Sequence, residues 1–172
     1  GRIDSGVFKP GDKIKTLPSG FVSTIKTIEL NGEHFHEAYA PMSITMTLED
    51  EIDISRGDMI VRENNSPMIG QDIDVLVTWM NENAIYNRTK VIVRHTTNEC
   101  IAIIKEIKYK IDINSLHRIE SIDTLAMNDI GRISIRTSKP LFYDAYKKNR
   151  QTGSLISVDE QTNETIGAGM II

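Results

Sequence analysis

The residues best suited to chemistry in this chain are the neighbouring carboxylates Glu49, Asp50 and Glu51, followed by Asp53. Carboxylate oxygens are the ligands that hard divalent cations prefer, so this run could hold a metal ion. Its spacing does not follow the EF-hand pattern, however, and a short charged stretch between two strands is typical of a solvated loop. The Arg56-Gly57-Asp58 tripeptide that follows indicates a turn.

Two histidines form the second candidate. His34 and His36 have an i, i+2 spacing, which would place both rings on the same side of a strand and could begin a zinc site. No third ligand is close in sequence, because His95 and Cys100 are far along the chain. The spacing therefore favours an exposed or packed pair over a metal site.

Motifs for catalysis and nucleotide binding are missing. The chain contains neither a Gly-x4-Gly-Lys-Ser/Thr phosphate loop nor a Gly-x-Ser-x-Gly nucleophile elbow. Gly167-Ala168-Gly169 is too short for a dinucleotide fingerprint and lies in a strand-like segment, where small residues permit close packing. Cys100 lies among apolar residues, so we expect a buried, inert thiol. We therefore expect no catalytic, cofactor-binding or metal-binding residue in this chain.

The composition is that of a globular protein. Of the 172 residues, 40% are hydrophobic, which excludes a disordered chain. A single cysteine cannot form an internal disulfide and favours a reducing compartment. No apolar run approaches the roughly 20 residues of a membrane helix, and no signal peptide is recognisable. We expect a soluble, cytoplasmic protein.

The net charge of −4 is distributed unevenly. Residues 1–66 carry 7 Lys and Arg against 11 Asp and Glu, whereas residues 67–172 carry 13 of each. Binding to nucleic acid depends on clustered cations, so neither part is typical of a nucleic-acid platform. The nearest basic patch, Lys147-Lys148-Asn149-Arg150, is typical of a solvated loop.

Apolar and polar residues alternate along most of the chain, which is the period of strands with one buried face. The strand-like runs are residues 44–48, 73–79, 91–93, 101–109, 132–136, 153–158 and 165–172. Turn signals at Pro18-Ser19-Gly20, Asn31-Gly32 and Thr162-Asn163-Glu164 separate such runs. The predicted core of the second part consists of Ile73, Val75, Val77, Val91, Val93, Ile103 and Ile107.

One stretch departs from this pattern, since apolar residues recur at helix-like intervals between Leu116 and Leu125. A short helical turn and an irregular barrel loop are both compatible with it.

Residues 64–70 are polar, contain Pro and Gly, and form the best candidate for a linker. We predict an all-β fold of two consecutive small β-barrels, residues 1–66 and 67–172, because closed barrels remove exposed sheet edges.

The first residues suggest an interrupted hairpin. Val7 and Phe8 end one strand, Pro10 and Gly11 form a turn, and Ile14 lies in the next strand. We therefore expect the first barrel to be N-terminally incomplete, with more protein upstream.

Several segments carry a resemblance to a known family. They are Gly1-Arg2-Ile3 with Ser5-Gly6 and Gly11-Asp12, Leu17-Pro18-Ser19-Gly20, and residues 48–60 (LEDEIDISRGDMI), 108–114 (KYKIDIN), 125–132 (LAMNDIGR), 149–154 (NRQTGS) and 159–171 (DEQTNETIGAGMI). Together they resemble the second and third domains of the large, GTP-binding subunit of bacterial sulfate adenylyltransferase, a translation-factor-like GTPase. Residues 48–60 and 149–154 are the most specific, whereas the Thr-Ile-Gly-Ala-Gly tail is similar in elongation factors.

This resemblance implies a heterodimeric enzyme of sulfate assimilation. Its small subunit transfers the adenylyl group of ATP to sulfate, and its large subunit couples GTP hydrolysis to that reaction. GTP and Mg²⁺ would be bound by an upstream GTPase domain, against which the barrels would act as a rigid body. The barrels would also bind the small subunit, with the carboxylates Glu49, Asp50 and Glu51 as a candidate contact that steers a basic surface.

Two other classes remain open. An elongation-factor-like module that binds RNA or a partner would share the barrels, but an RNA-binding face should be cationic. A stand-alone β module that binds a partner is disfavoured by a chain that begins within a hairpin.

Overall fold

The computed structural model describes residues 1–172 and divides them into two compact units, Gly1–Pro67 and Met68–Ile172. Sixteen strands and no helix account for the regular structure, so the predicted all-β fold is confirmed. Consequently, no helix is present that is long and apolar enough to span a membrane.

Short strands build the first unit. They are β1 (Val7–Phe8), β2 (Lys13–Leu17), β3 (Val22–Leu30), β4 (Glu33–His34), β5 (Ala38–Tyr39), β6 (Thr45–Leu48) and β7 (Met59–Arg62). The long strand β3 pairs with β2, β4 and β6, and β2 pairs with β7 on its other side. Strands β1 and β5 form a separate two-stranded ribbon. The interpretation of Val7 and Phe8 as half of a hairpin is therefore wrong, because their partner is β5.

Local sequence determines the turns of this unit. Asn31 and Gly32 both have positive φ, 53° and 85°, as a two-residue hairpin of type I′ requires, and they join β3 to β4 as predicted. The buried core beneath the strands consists of Ile3, Ile14, Ile25, Ile28, Ala38 and Ile44.

Nine strands build the second unit. They are β8 (Met68–Trp79), β9 (Ile85–Tyr86), β10 (Lys90–His95), β11 (Asn98–Ile111), β12 (Arg118–Glu120), β13 (Thr124–Leu125), β14 (Ile130–Tyr143), β15 (Ser154–Val158) and β16 (Thr165–Ile171). Six of them form a closed antiparallel barrel in the order β10-β15-β16-β8-β14-β11, which returns to β10. Strand β12 extends the sheet beyond β11, and β9 pairs with β13.

Two sequence predictions are refined by this barrel. The segment from Leu116 to Leu125 contains β12 and β13 but no helix, so the irregular barrel loop is the correct alternative. The predicted linker at residues 64–70 is too long, because β8 begins at Met68, which pairs with Tyr143.

The predicted second core contains one error. Six of its seven residues are buried, but Ile103 is 38% exposed, whereas its neighbour Ile104 is 1% exposed. Strand β11 shifts its register against β14 between Ile104 and Glu106, which is a β-bulge. The extra residue of the bulge reverses the alternation of inward and outward side chains. Even-numbered residues such as Ile104 face inward before the bulge, and odd-numbered residues face inward after it. Ile107, beyond the bulge, is therefore buried.

Candidate partner interface

The acidic loop that joins β6 to β7 is anchored on the neighbouring strand β3. The Ser23 hydroxyl donates to Asp50 Oδ2 at 2.7 Å, and the Asp50 amide donates back to Ser23 Oγ at 3.3 Å. One residue earlier, the Glu49 amide donates to the Thr24 carbonyl oxygen at 3.0 Å. The start of the loop therefore continues the β3–β6 pairing and has a defined position.

The three carboxylates proposed from the sequence have different roles. Asp50 is tied to Ser23, whereas the side chains of Glu49 and Glu51 are exposed and make no hydrogen bond or ion pair. Further along, Asp58 Oδ2 accepts from the Ser55 amide at 2.9 Å and closes the predicted turn. The carboxylates of this loop are thus not gathered around one point. In the structure as a whole, no three His, Cys, Asp or Glu side chains are arranged to hold a metal ion.

The other candidate ligands are dispersed as well. His34 lies on β4, is largely exposed, and its Nδ1 is 3.6 Å from Glu29 Oε1. His36 is also exposed, outside the strand. Cys100 is buried in the second unit, and this burial raises the pKa of its thiol. A thiol that stays protonated is a poor nucleophile, in agreement with the expected inert role.

In the second unit, the Asp74 carboxylate of β8 forms ion pairs with two basic side chains on the outer face of the barrel. Its Oδ2 lies 2.8 Å from Lys108 Nζ and 2.6 Å from Arg132 Nη2. Partial burial raises the pKa of the Asp74 carboxyl, but the hydrogen bonds from Lys108 and Arg132 outweigh it, so that the pKa is lowered overall. The carboxylate therefore cross-links β8, β14 and β11.

Asp72 repeats this arrangement two residues away. Its carboxylate lies 3.0 Å from Lys105 Nζ and 2.9 Å from Arg136 Nη2. The hydrogen bond from Lys105 is the largest cause of its lowered pKa. The only sequence signal for these two ion-pair sets is the i, i+2 spacing of Asp72 and Asp74 on a strand, which puts both carboxylates on one face.

The segment 149–154 proves to be a packed loop. A Cβ atom on Gly153 would lie 2.4 Å from the Tyr146 Cα atom, so only glycine fits here. Next to it, Thr152 Oγ1 donates to Asp144 Oδ2 at 2.9 Å, and the buried His95 has its Nε2 at 2.7 Å from the Thr152 carbonyl oxygen. These contacts give the segment a structural role.

Glycines of the last strand are also required by packing. A Cβ on Gly169 would lie 2.4 Å from Val75 Cγ1, and one on Gly167 would lie 3.1 Å from the Trp79 ring. The expected close packing around Gly167-Ala168-Gly169 is therefore confirmed. In the first unit, the exposed side chains of Glu49 and Glu51 in the acidic loop are not engaged in the fold in this way.

Comparison with known proteins agrees with this architecture. A model of the family described as GTP-eEF1A C-terminal domain-like matches residues 72–172. The chain belongs to this family. The match covers the whole closed barrel except the first residues of β8.

Curated relatives extend the similarity over both units of this GTP-eEF1A C-terminal domain-like chain. It is 44% identical over 172 residues to a bifunctional enzyme CysN/CysC of Rhodopirellula baltica, covering 100% of the chain and 26% of that protein. It is 40% identical to sulfate adenylyltransferase subunit 1 of Bacteroides fragilis, covering 100% of the chain and 36% of that protein. The chain thus spans about a quarter to a third of the length of these relatives, and the resemblance to the sulfate adenylyltransferase subunit is confirmed.

A solved structure confirms the fold. Sup35 complexed with GMPPNP superimposes with a TM-score of 0.90 at 11% identity, covering 100% of this chain and 42% of that one. At this identity the likeness concerns the fold alone, and it agrees with the all-β architecture described above.

Proposed function

We propose that this chain forms the non-catalytic β domains of the GTP-binding subunit of a cytoplasmic sulfate adenylyltransferase. The observation that carries the proposal is the 44% and 40% identity over the entire chain to a CysN/CysC enzyme and to a sulfate adenylyltransferase subunit 1. The parent complex makes adenylyl sulfate from ATP and sulfate with the help of GTP hydrolysis. In this proposal GTP and Mg²⁺ belong to a GTPase domain of the parent.

The two β units would transmit the state of that GTPase domain to the catalytic subunit. Bound nucleotide can shift the equilibrium between two states of the complex only through contacts that differ between those states. The β units therefore need a surface that contacts the small, adenylyl-transferring subunit. The name "subunit 1" of the relatives supports the existence of such a partner. We assign the acidic loop to this contact, with Glu49 and Glu51 as the residues that face it and Asp50 as the residue that positions them.

Co-purification tests the partner. The complete subunit that carries this chain should purify together with the small subunit of the same organism, and the complex should form adenylyl sulfate faster when GTP is added. The proposed function would be contradicted if the complete subunit bound no adenylyltransferase, or if GTP did not change the rate at which the complex forms adenylyl sulfate.

Charge reversal tests the acidic loop. Glu49→Lys combined with Glu51→Lys should slow association with the small subunit about 10-fold at low salt, because long-range steering by these carboxylates is lost. The difference from the wild type should shrink as salt screens the charges. Asp50 is left intact because it holds the loop on Ser23.

The matched control makes the same change in net charge elsewhere in the unit. Glu33 and Glu63 are exposed carboxylates without a side-chain partner, so Glu33→Lys with Glu63→Lys should leave association nearly unchanged. Equal association rates for the two double variants at low salt would remove the acidic loop from the interface.

A further inference from the structure

The turn between β3 and β4 contains the only asparagine of this chain that is followed by glycine, Asn31-Gly32. An asparagine side chain can react with the backbone nitrogen of the next residue, and glycine favours this because it has no Cβ atom to block the approach. Both residues are exposed at the tip of the hairpin. Their reactivity in the folded chain depends on what engages the two reacting groups.

Both reacting groups of this pair are free. The Asn31 carboxamide makes no hydrogen bond, and the Gly32 backbone amide donates to no acceptor. A Cβ atom built on Gly32 would meet no other atom within 4 Å. The surroundings of Gly32 therefore leave room for a small ring to form.

Other asparagines are held by the fold. Asn87 Oδ1 accepts a hydrogen bond from the Ile107 amide at 3.0 Å. The Ser115 amide, which would have to attack Asn114, instead donates to Asp112 Oδ1 at 3.2 Å. Asn31 therefore differs from these residues in its hydrogen bonding as well as in the residue that follows it.

The type I′ turn slows the reaction without preventing it. Asn31 has a φ of 53°, and ring closure requires a rotation about its Cα–C bond that this turn restricts. Strand β4, however, pairs with β3 through two residues only, Glu33 with Leu30 and His34 with Glu29. Both residues of β4 are exposed, and a short exposed strand opens locally at a small cost in free energy.

We propose that Asn31 is a site of spontaneous deamidation, with water as the only co-reactant. Hydroxide removes the proton from the Gly32 amide nitrogen, which then bonds to Asn31 Cγ. The Cγ–Nδ2 bond breaks, and ammonia leaves after taking a proton from water, which restores the hydroxide. Water opens the resulting cyclic imide at the Cγ carbonyl to give aspartate, or at the backbone carbonyl to give isoaspartate. This inference does not depend on the proposed function.

Isoaspartate should alter the hairpin more than aspartate does. Either product adds a carboxylate that is charged at neutral pH, since an aspartate titrates at about pH 3.9. Isoaspartate also lengthens the main chain of the turn by one carbon atom, and hairpin pairing depends on the length of the loop. We therefore expect the isoaspartate form to lose the 2.9 Å hydrogen bond that the Phe35 amide, next to β4, donates to the Ile28 carbonyl oxygen.

Peptide mapping by mass spectrometry tests the proposal on the complete subunit that carries this chain, incubated at pH 7 and at pH 9. Asn31 should convert to a mixture of aspartate and isoaspartate, and faster at pH 9 because the attacking nitrogen must lose its proton. The control within the chain is Asn65, which is also exposed and makes no side-chain hydrogen bond but is followed by Ser66. It should convert at least about 10-fold more slowly, because serine has the side chain that glycine lacks.

Two variants separate the added charge from the added backbone atom. Asn31→Gln should gain no carboxylate at residue 31, because a glutamine side chain closes the ring far less readily. Freshly purified Asn31→Asp carries the charge on a normal backbone, so hydrogen exchange of the Phe35 amide should match the wild type. In the incubated wild type, the isoaspartate fraction should exchange this amide at least about 10-fold faster.

Each contrary outcome is decisive. If Asn31 stayed intact in the folded subunit but converted in the urea-denatured subunit, the turn would block the reaction and the proposal would be overturned. Equal conversion of Asn65 would show that the Asn31-Gly32 pair has no special reactivity. A product with aspartate but no isoaspartate would rule out the cyclic imide, and unchanged exchange at Phe35 in the isoaspartate form would refute the effect on the hairpin. The small subunit takes part in none of these measurements, so their failure leaves the proposed function intact.

Discussion

Asp74 illustrates how a single carboxylate supports the second barrel. It accepts hydrogen bonds from Lys108 and Arg132, whose strands β11 and β14 lie next to each other in the sheet, with β14 also flanking β8. Its pKa is lowered in the folded state, since the two cations outweigh the effect of burial. The charged form therefore stabilises the fold at neutral pH, and this contribution is lost as the pH falls through the lowered value.

Asp74→Asn should lower the free energy of unfolding by about 1.5–3 kcal/mol at pH 7, the range for hydrogen bonds to charged groups. An unfolded aspartate titrates near pH 3.9, so the difference from the wild type should be complete above that pH and shrink below it. Urea denaturation at pH 7 and pH 3 measures both values. The control variant Asp53→Asn alters an exposed carboxylate without partners, so it should leave the free energy of unfolding unchanged at both pH values. An equal loss at both pH values would mean that packing, not charge, is responsible.

Strand β11 shows how one irregularity redirects a whole element. It is 14 residues long and pairs with β10, β12 and β14. Along it, buried side chains that face the core alternate with exposed ones. The bulge between Ile104 and Glu106 permits Ile104 and Ile107 to face the core together, although they are an odd number of positions apart. Bulges also increase local twist, which a closed six-stranded barrel needs.

Neighbouring isoleucines provide a direct measurement of this reversal. Ile104→Ala should cost about 2–5 kcal/mol of unfolding free energy, as for other buried large-to-small changes. Ile103→Ala removes the same atoms from a 38% exposed side chain and should cost less than half as much. Chemical denaturation of the two variants compares them directly. A larger cost for Ile103→Ala than for Ile104→Ala would mean that the alternation runs unbroken back from Ile107, and it would contradict the bulge.

Across the whole chain, the two units differ in charge as well as in strand topology. The first carries the entire net charge of −4 and the second is neutral. Phosphate groups of nucleotides are normally bound by the amides at a helix N-terminus or by a glycine-rich phosphate loop. This chain has no helix and no such motif.

We therefore predict that the 172-residue chain alone binds no GTP. Calorimetric titration with GTP and Mg²⁺ should give no heat of binding at micromolar concentrations, whereas the complete subunit should bind under the same conditions. Micromolar affinity of the chain itself would contradict both this prediction and the assignment of GTP to another domain of the parent.

The sequence by itself determined the features that depend on neighbouring residues. Alternation of apolar and polar residues indicated the all-β fold, because strands place successive side chains on opposite faces. Asn31-Gly32 specified its turn, since both residues tolerate positive φ. The acidic loop was also visible as a charged stretch, and the family resemblance was carried by contiguous segments.

Only the tertiary structure decided which of these residues meet. Ser23 and Asp50 are 27 positions apart, and Asp74 and Arg132 are 58 apart, so no local pattern connects them. The exposure of Ile103 was likewise set by pairing with β14, where a bulge reversed the expected alternation. Periodicity reports the conformation of a strand, but the partners of that strand fix its register and anchors. For this reason the anchoring of Asp50 on Ser23 became visible only in the folded structure.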